Sequence, residues 1–201
     1  MIRVLFDCDG LFLNFTELYL SVVKEKLGLS YTEQDVKEWD VGDAIGLTRK
    51  QKDIVHEELN KPGKGLEIKP YPGAVEAMTG LLHMCDGYFV TSPLHTNPTW
   101  VHDRMKVIGE LFGEEYADKV ITTKKKAPVF GHMLIDDKPQ NIDEWSKAWP
   151  MGMAILWNLP CNENVKGRYL RAGDWATIKQ MISLASSTAA NKLAPHLVAG
   201  P

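Results

Sequence analysis

The sequence predicts an α/β protein: a three-layer, Rossmann-like parallel sheet of about five strands, with a small helical cap inserted after the first strand and helix. Three observations lead there. Five short apolar runs alternate with stretches whose apolar residues recur at helical spacing, the pattern of parallel strands joined by right-handed crossovers. The ends of these runs carry polar groups: Asp7-Cys8-Asp9-Gly10 after the first, Thr91-Ser92 after the second, Thr123-Lys124-Lys125-Lys126 after the third and Asp136-Asp137 after the fourth. Ligands of open parallel sheets bind at that edge, so residues more than a hundred positions apart can converge on one crevice. One region, from Ser30 to about Pro72, has helix signals and no convincing strand.

Taken in order, Ile2 to Phe6 reads as a buried strand closed by Gly10. Asn14 caps a helix with Phe15, Leu18, Tyr19, Val22, Val23 and Leu27 on one face, and Gly28 stops it. Within the insertion, Thr32 opens one polar helical stretch and Thr48 another through Leu59, and Pro62-Gly63-Lys64-Gly65 closes it. The domain reading assigns 1–15 and 73–201 to the core and 16–72, the first helix included, to the cap. Pro70-Tyr71-Pro72-Gly73 returns the chain to a helix with Val75, Met78, Leu81 and Leu82 inward, then to the strand Gly87 to Ser92. Pro98 suits the first turn of a helix with Val101, Met105, Ile108, Leu111 and Phe112 as its apolar face and Gly113 as its end. Strands at Lys119 to Thr122 and His132 to Ile135, a helix from Gln140 to Trp149 and a strand from Met153 to Trp157 follow. An irregular stretch from Asn158 to Gly173, a helix from Asp174 to about Leu184 and a loosely held tail after Ser186 complete the chain.

Composition narrows the function. The 201 residues, 44% hydrophobic and 24% charged, suit one soluble core with a small second unit. A net charge of -3, from 23 Lys plus Arg against 26 Asp plus Glu, speaks against a nucleic-acid polymer or an anionic membrane as partner. The three cysteines lack metal-site spacing and fit free thiols in a reducing, cytoplasmic setting. The apolar start is broken at Asp7, unlike a signal peptide, and no apolar run approaches the length of about 18 residues that a membrane span needs. His95, His102 and His132 share no ligand spacing.

Asp7 and Asp9, two positions apart on extended backbone, point to one side and need a cation or a shared proton between them. Each polar group has an ordinary alternative. Asp-x-Asp-Gly is also an exposed turn, Thr91-Ser92 a strand-end hydrogen-bond pair, the lysine run a solvated loop, and Asp136-Asp137 a helix cap. Four such coincidences at strand ends favour chemistry.

In order and strand context, these residues resemble the four motifs of the haloacid dehalogenase superfamily of phosphohydrolases. With Phe15, Val90-Thr91-Ser92-Pro93 and Leu134-Ile135-Asp136-Asp137-Lys138-Pro139 added, the chain is most similar to the 5'(3')-deoxyribonucleotidases, over roughly residues 1–15 and 70–160. The resemblance implies Mg2+-dependent hydrolysis of nucleoside monophosphates through an aspartyl-phosphate. Asp7 would be the nucleophile and Asp9 the acid and base; Asp7, Asp9 and Asp137 would hold Mg2+, with Asp136 behind them or as an alternative ligand. Thr91, Ser92 and Lys126 would bind the phosphoryl oxygens, while Phe15, Trp39 and Lys124 would contact the rest of the substrate. Lys124 and Lys138 stand where these enzymes often carry Arg, which weakens a bidentate phosphate clamp. The expected partner is a small phosphomonoester, in particular a deoxynucleotide, with at most a second copy of the chain as a homodimer. The alternatives are another small phosphomonoester as substrate, or a phosphate-binding module without turnover.

Overall fold

A computed structural model describes residues 1–167 and 169–193. In chain order, β1 (Arg3–Phe6) leads to α1 (Phe15–Leu27), α2 (Val41–Ala44), α3 (Arg49–Leu59) and α4 (Ala74–Leu82). Then come β2 (Asp86–Thr91), α5 (Trp100–Phe112), α6 (Glu114–Ala117), β3 (Val120–Thr122), β4 (Met133–Asp136), α7 (Pro139–Ala148), β5 (Met153–Trp157), β6 (Leu170–Ala172) and α8 (Trp175–Leu193). All strands are parallel in the order β3-β2-β1-β4-β5-β6, and the most buried strands, β1 and β4, lie at the centre.

The period-two alternation of the strands divides the core. Val4, Phe6, Phe89, Met133, Ile135 and Ile155 pack toward the cluster that holds α1, α4, α5 and α8. Leu5, Val90, Leu134 and Leu156 pack on the other side against Ile142 and Trp145 of α7. Three layers result.

The sixth strand is a difference from the sequence reading. Leu170–Ala172 lies in the stretch taken as irregular and pairs with β5. Three residues, with Leu170 exposed, are too short for a periodic signal. Likewise α8 continues to Leu193, beyond the expected tail at Ser186, and Asp174 caps it by accepting the Thr177 N–H at 2.7 Å. The rest of that tail, 194–201, lies outside the described residues.

The insertion is helical, as its signals indicate. Asn14 accepts the Glu17 N–H at 2.9 Å to start α1, Gly28 ends it in the left-handed region, and Thr48 with Gln51 forms a capping box on α3. The stretch opened by Thr32 is shorter than expected: only one 3-10 turn, Glu33–Asp35, forms before buried Val36 leaves the helical conformation. The return segment is stitched to the core. Asn97 donates to the Leu59 and Lys61 carbonyls at 2.8 Å each, and Thr99 and Asp103 accept the Gly63 and Gly65 N–H groups.

Helix α5 departs from its apolar pattern. Pro98 precedes the helix, whose first residue is Trp100, and Val101 is 40% exposed. The inward face is Trp100, Asp103, Arg104, Val107 and Ile108. Two charged residues can sit there because each has a partner: Asp103 accepts from Gly65 and Thr99, and Arg104 pairs with Asp9.

Candidate active site

The register of the sheet brings the polar strand ends together. The Asp7 N–H donates to the Ile135 carbonyl at 2.9 Å, so the residue after β1 sits level with the end of β4. Asp7, Asp136 and Asp137 each offer a carboxylate oxygen within 4.8 Å of the others. Lys126 lies between two of them, its Nζ 2.7 Å from Asp7 Oδ1 and 2.6 Å from Asp136 Oδ2. Asp136 also accepts from Asn141 and from the Lys138 N–H, whereas among the described residues no donor reaches the Asp137 carboxylate.

Burial dominates the electrostatics. It pushes the Asp7 carboxyl up to about 7 against the pull of Lys126, and the repulsion of Asp136 adds to it more than that of Asp9 does. Asp137 is held well above the usual carboxylate range by burial and then by the Asp7 and Asp136 charges. Burial lowers the proton affinity of Lys126, but Asp136 and Asp7 more than offset that and keep it charged. Three carboxylates and one ammonium leave two formal negative charges among hard oxygen donors. That donor set fits a small divalent cation such as Mg2+.

Gly10 makes the approach possible. Its φ is +77°, and a Cβ there would overlap the Asp137 carboxylate, so the turn after β1 needs glycine for both conformation and space. Cys8 is fully buried, facing away from the cluster, and its carbonyl accepts the N–H groups of Leu11, Phe12 and Leu13.

Asp9 crowds Asp7 less than Asp136 does, contrary to the expectation from sequence. The Asp9 carboxylate lies outside the three-carboxylate cluster, on Arg104 Nη2 at 2.7 and 2.9 Å. Beyond the strand end the backbone turns, and the alternation that would align the two side chains stops. Asp7, Asp9 and Asp137 line a cavity of about 380 Å³, together with Ser92, Phe15 and Trp39. Thr91 is wholly buried at the end of β2, its Oγ1 without a partner, next to Ser92, whose Oγ reaches the Thr123 carbonyl at 3.4 Å. Lys126 is behind Asp7 rather than on the cavity wall, and Lys124 is exposed away from it.

The far wall of the cavity mixes aromatic and apolar side chains with the polar Thr16, Glu38 and Asp40. Phe15 and Tyr19 have ring centroids 6.3 Å apart, Tyr19 meets His56 edge-on, and Val36, Val41 and Leu59 add aliphatic surface. Trp39, 44% exposed, lies under Lys138 Nζ at 5.2 Å from its ring, a contact between the insertion and the residue after Asp137.

Sequence reasoning missed three contributors. Arg104 was hidden because a charged residue interrupts an apolar periodicity. Asn141, two residues into α7, and Asn162, in the stretch read as irregular, carry no motif. Asn162 is fully buried and donates to the Asp137 and Trp157 carbonyls at 2.7 Å, fixing the turn that presents Asp137.

Residues 1–188 match the family described as 5' nucleotidase, deoxy (pyrimidine), cytosolic type C protein. A relative from Acanthamoeba polyphaga mimivirus is 29% identical over 147 residues, covering 69% of this chain and 64% of that protein. The human cytosolic 5'(3')-deoxyribonucleotidase is 31% identical over 88 residues, 43% of this chain and 44% of that one. The matches thus span less than two thirds of these relatives. In fold, the chain is similar to a haloacid dehalogenase-like hydrolase from Streptococcus pneumoniae, with a TM-score of 0.58 at 11% identity over 90% of this chain and 98% of that one. It is also similar to a haloacid dehalogenase-type hydrolase from Bacillus subtilis solved bound to magnesium, with a TM-score of 0.57 at 13% identity over 90% and 98%. Among the described residues no helix is long and apolar enough to cross a membrane.

Proposed function

This chain belongs to the family of 5' nucleotidase, deoxy (pyrimidine), cytosolic type C proteins, and on that premise we propose that it hydrolyses the phosphate ester of deoxyribonucleoside monophosphates. The observation that carries the reading is the two-ended cavity: carboxylates Asp7, Asp9 and Asp137 at the sheet edge, and Phe15, Tyr19 and Trp39 opposite. Its volume of about 380 Å³ is in the range of small-molecule sites, typically about 300 to 1,000 Å³.

Asp7 is the nucleophile. One of its carboxylate oxygens bonds to phosphorus as the bond from phosphorus to the leaving oxygen breaks, giving an aspartyl-phosphate and splitting one slow hydrolysis into two steps. Asp9, which has to enter the cycle protonated, gives the leaving oxygen that proton and regains one from the water that attacks the aspartyl-phosphate, so its protonation state is restored at each turnover. Ser92, on the cavity wall, supplies a hydroxyl donor to the phosphoryl oxygens, and Thr91, buried beside it with an unpartnered hydroxyl, is the second donor once the phosphate reaches past the wall. Lys126 acts from behind Asp7, neutralising it and Asp136 and tying the two strand ends together. Asp7 and Asp137 would hold Mg2+, with Asp136 orienting from behind; the ion supplies the positive charge that lets a carboxylate approach an anionic phosphate. The Asp9 side chain takes no part in that set.

The insertion, 16–72, serves as the cap. It provides Phe15's neighbour Tyr19 and Trp39 to the wall, against which a sugar and base can pack. The three unpaired cysteines suit a cytosolic location.

Phosphate release from dUMP, dTMP, UMP and a set of sugar phosphates, with and without Mg2+, tests the proposal. dUMP or dTMP should have the highest kcat/KM, and Phe15→Ala should lower nucleotide hydrolysis more than p-nitrophenyl phosphate hydrolysis, by about 10-fold or more if stacking is lost. A sugar phosphate that outperforms every nucleotide, or turnover unchanged by excess chelator, would reject it.

A further inference from the structure

We infer that Arg104 is the residue that positions Asp9, holding its carboxylate at the cavity wall and out of the buried acidic cluster. The inference rests on the reading of Asp9 as the group that handles the proton.

The Arg104 side chain is 1% exposed while that of Asp9 is 28% exposed, so a wholly buried cation reaches out to a carboxylate at the cavity. Nη2 donates to both Asp9 oxygens, at 2.7 and 2.9 Å. The guanidinium lies 5.4 Å from the Trp100 ring, itself buried and edge-on to Phe15 at 6.1 Å, which fixes the plane of the fork. Asp103, the adjacent acid on α5, is turned away to Gly65 and Thr99. Among the described residues Asp9 is therefore the one carboxylate that compensates this buried charge.

The pattern of use distinguishes aiming from bracing. A guanidinium that braces a fold spends its five donors on several acceptors, as Arg171 does by donating to Asn158, to both the side chain and carbonyl of Asn162, and to Val165. Arg104 leaves Nε and Nη1 buried without partners and gives one nitrogen to one carboxylate. Leaving those donors unmet and burying a charge on the inward face of α5 both cost stability. The return is a fixed direction for Asp9, two residues from a cluster that would otherwise compete for its orientation.

If so, loss of Arg104 should injure the step that needs a proton more than the step that does not. Arg104→Met and Arg104→Lys are compared with the unaltered chain on dTMP, whose alkoxide leaving oxygen needs a proton, and on the pre-steady-state burst with p-nitrophenyl phosphate, whose phenolate leaves without one. Arg104→Met should lower kcat on dTMP by about 100-fold with KM little changed, and the burst rate by less than about 5-fold. Arg104→Lys should shift both in the same sense but less, because an ammonium keeps the charge without the planar fork. Combined with Asp9→Asn, Arg104→Met should add no further loss, since both act through one group.

Equal losses on the two substrates, or additive losses in the double variant, would overturn the inference and leave Arg104 a structural residue. Should Arg104→Met fail to fold, Arg104→Lys carries the same comparison. If Asp9→Asn separates the two substrates and the Arg104 variants do not, the positioning role alone is wrong. If Asp9→Asn itself depresses both equally, or the unaltered chain turns over neither substrate, the phosphatase reading of Asp9 falls and this inference falls with it.

Discussion

Replacing Asp7 by Asn should stabilise the metal-free protein near neutral pH while ending its turnover. Burial, opposed by Lys126 and reinforced by Asp136, raises the Asp7 carboxyl from 3.8 to about 7. Because the folded value lies above the unfolded one, the folded chain binds more protons between them, and stability falls as pH rises from about 4 to about 7. At about 1.4 kcal/mol per unit, an ionised Asp7 costs the fold on the order of 4 kcal/mol above that window. Asn keeps the shape without the charge, but Lys126 then retains only Asp136 as a partner, so a net gain of about 2 kcal/mol is expected. For a chain of this length that is a rise in Tm of roughly 4 to 8 °C. Thermal unfolding followed by circular dichroism, in chelator at about pH 5 and about pH 8 and again with Mg2+, measures it. The gain should be larger at the higher pH, and Mg2+ should raise the Tm of the unaltered chain more than that of the variant. A gain equal at both pH values, or a loss at the higher one, refutes the argument that Asp7 is strained by burial.

The two neighbouring aspartates should fail differently. Asp136→Ala removes an acceptor of Lys126, Asn141 and the Lys138 N–H, and should cost stability by about 3 kcal/mol or more even in chelator. Asp137→Ala should leave the metal-free Tm near that of the unaltered chain and weaken Mn2+ binding in a calorimetric titration; equal Tm losses would contradict the separation of roles. In the insertion, Glu58 is held down to about 2 by hydrogen bonds from Lys61 and then Lys26. Its depressed value means that its stabilisation is present above about pH 4.5 and fades as pH falls toward 2, so the Tm difference between the unaltered chain and Glu58→Gln should shrink across that range. A difference that stays constant would show that the lysines do not act on Glu58 through its charge.

Much of the architecture was legible because it is written in local periodicity. Apolar runs at 2–6, 87–92, 132–135 and 153–157 can be buried on both faces only inside a parallel sheet, and Asn14, Gly28 and Thr48 mark helix ends by side-chain chemistry that acts within three or four residues. Polar groups that close such runs fall at one edge of the sheet, so the placement of Asp7, Thr91, Ser92, Asp136 and Asp137 there could be read beforehand. Boundaries failed where the signal was short or compensated: β6 has three residues, and α5 turns two charges inward because their partners lie elsewhere.

What the tertiary structure alone decided is which of the named groups face one another. Adjacency in sequence paired Asp7 with Asp9, but the register of β1 against β4 pairs Asp7 with Asp136 and Asp137, and Lys126 crosses from behind to join them. Asp9 instead meets Arg104, 95 residues away, through a helix whose rotation no local pattern reveals. The physical reason is that strand and helix formation depend on neighbours within a turn or two. A buried charge is stabilised only by whatever counter-charge the finished fold brings within hydrogen-bonding distance, and that choice exists only once the sheet and helices have packed.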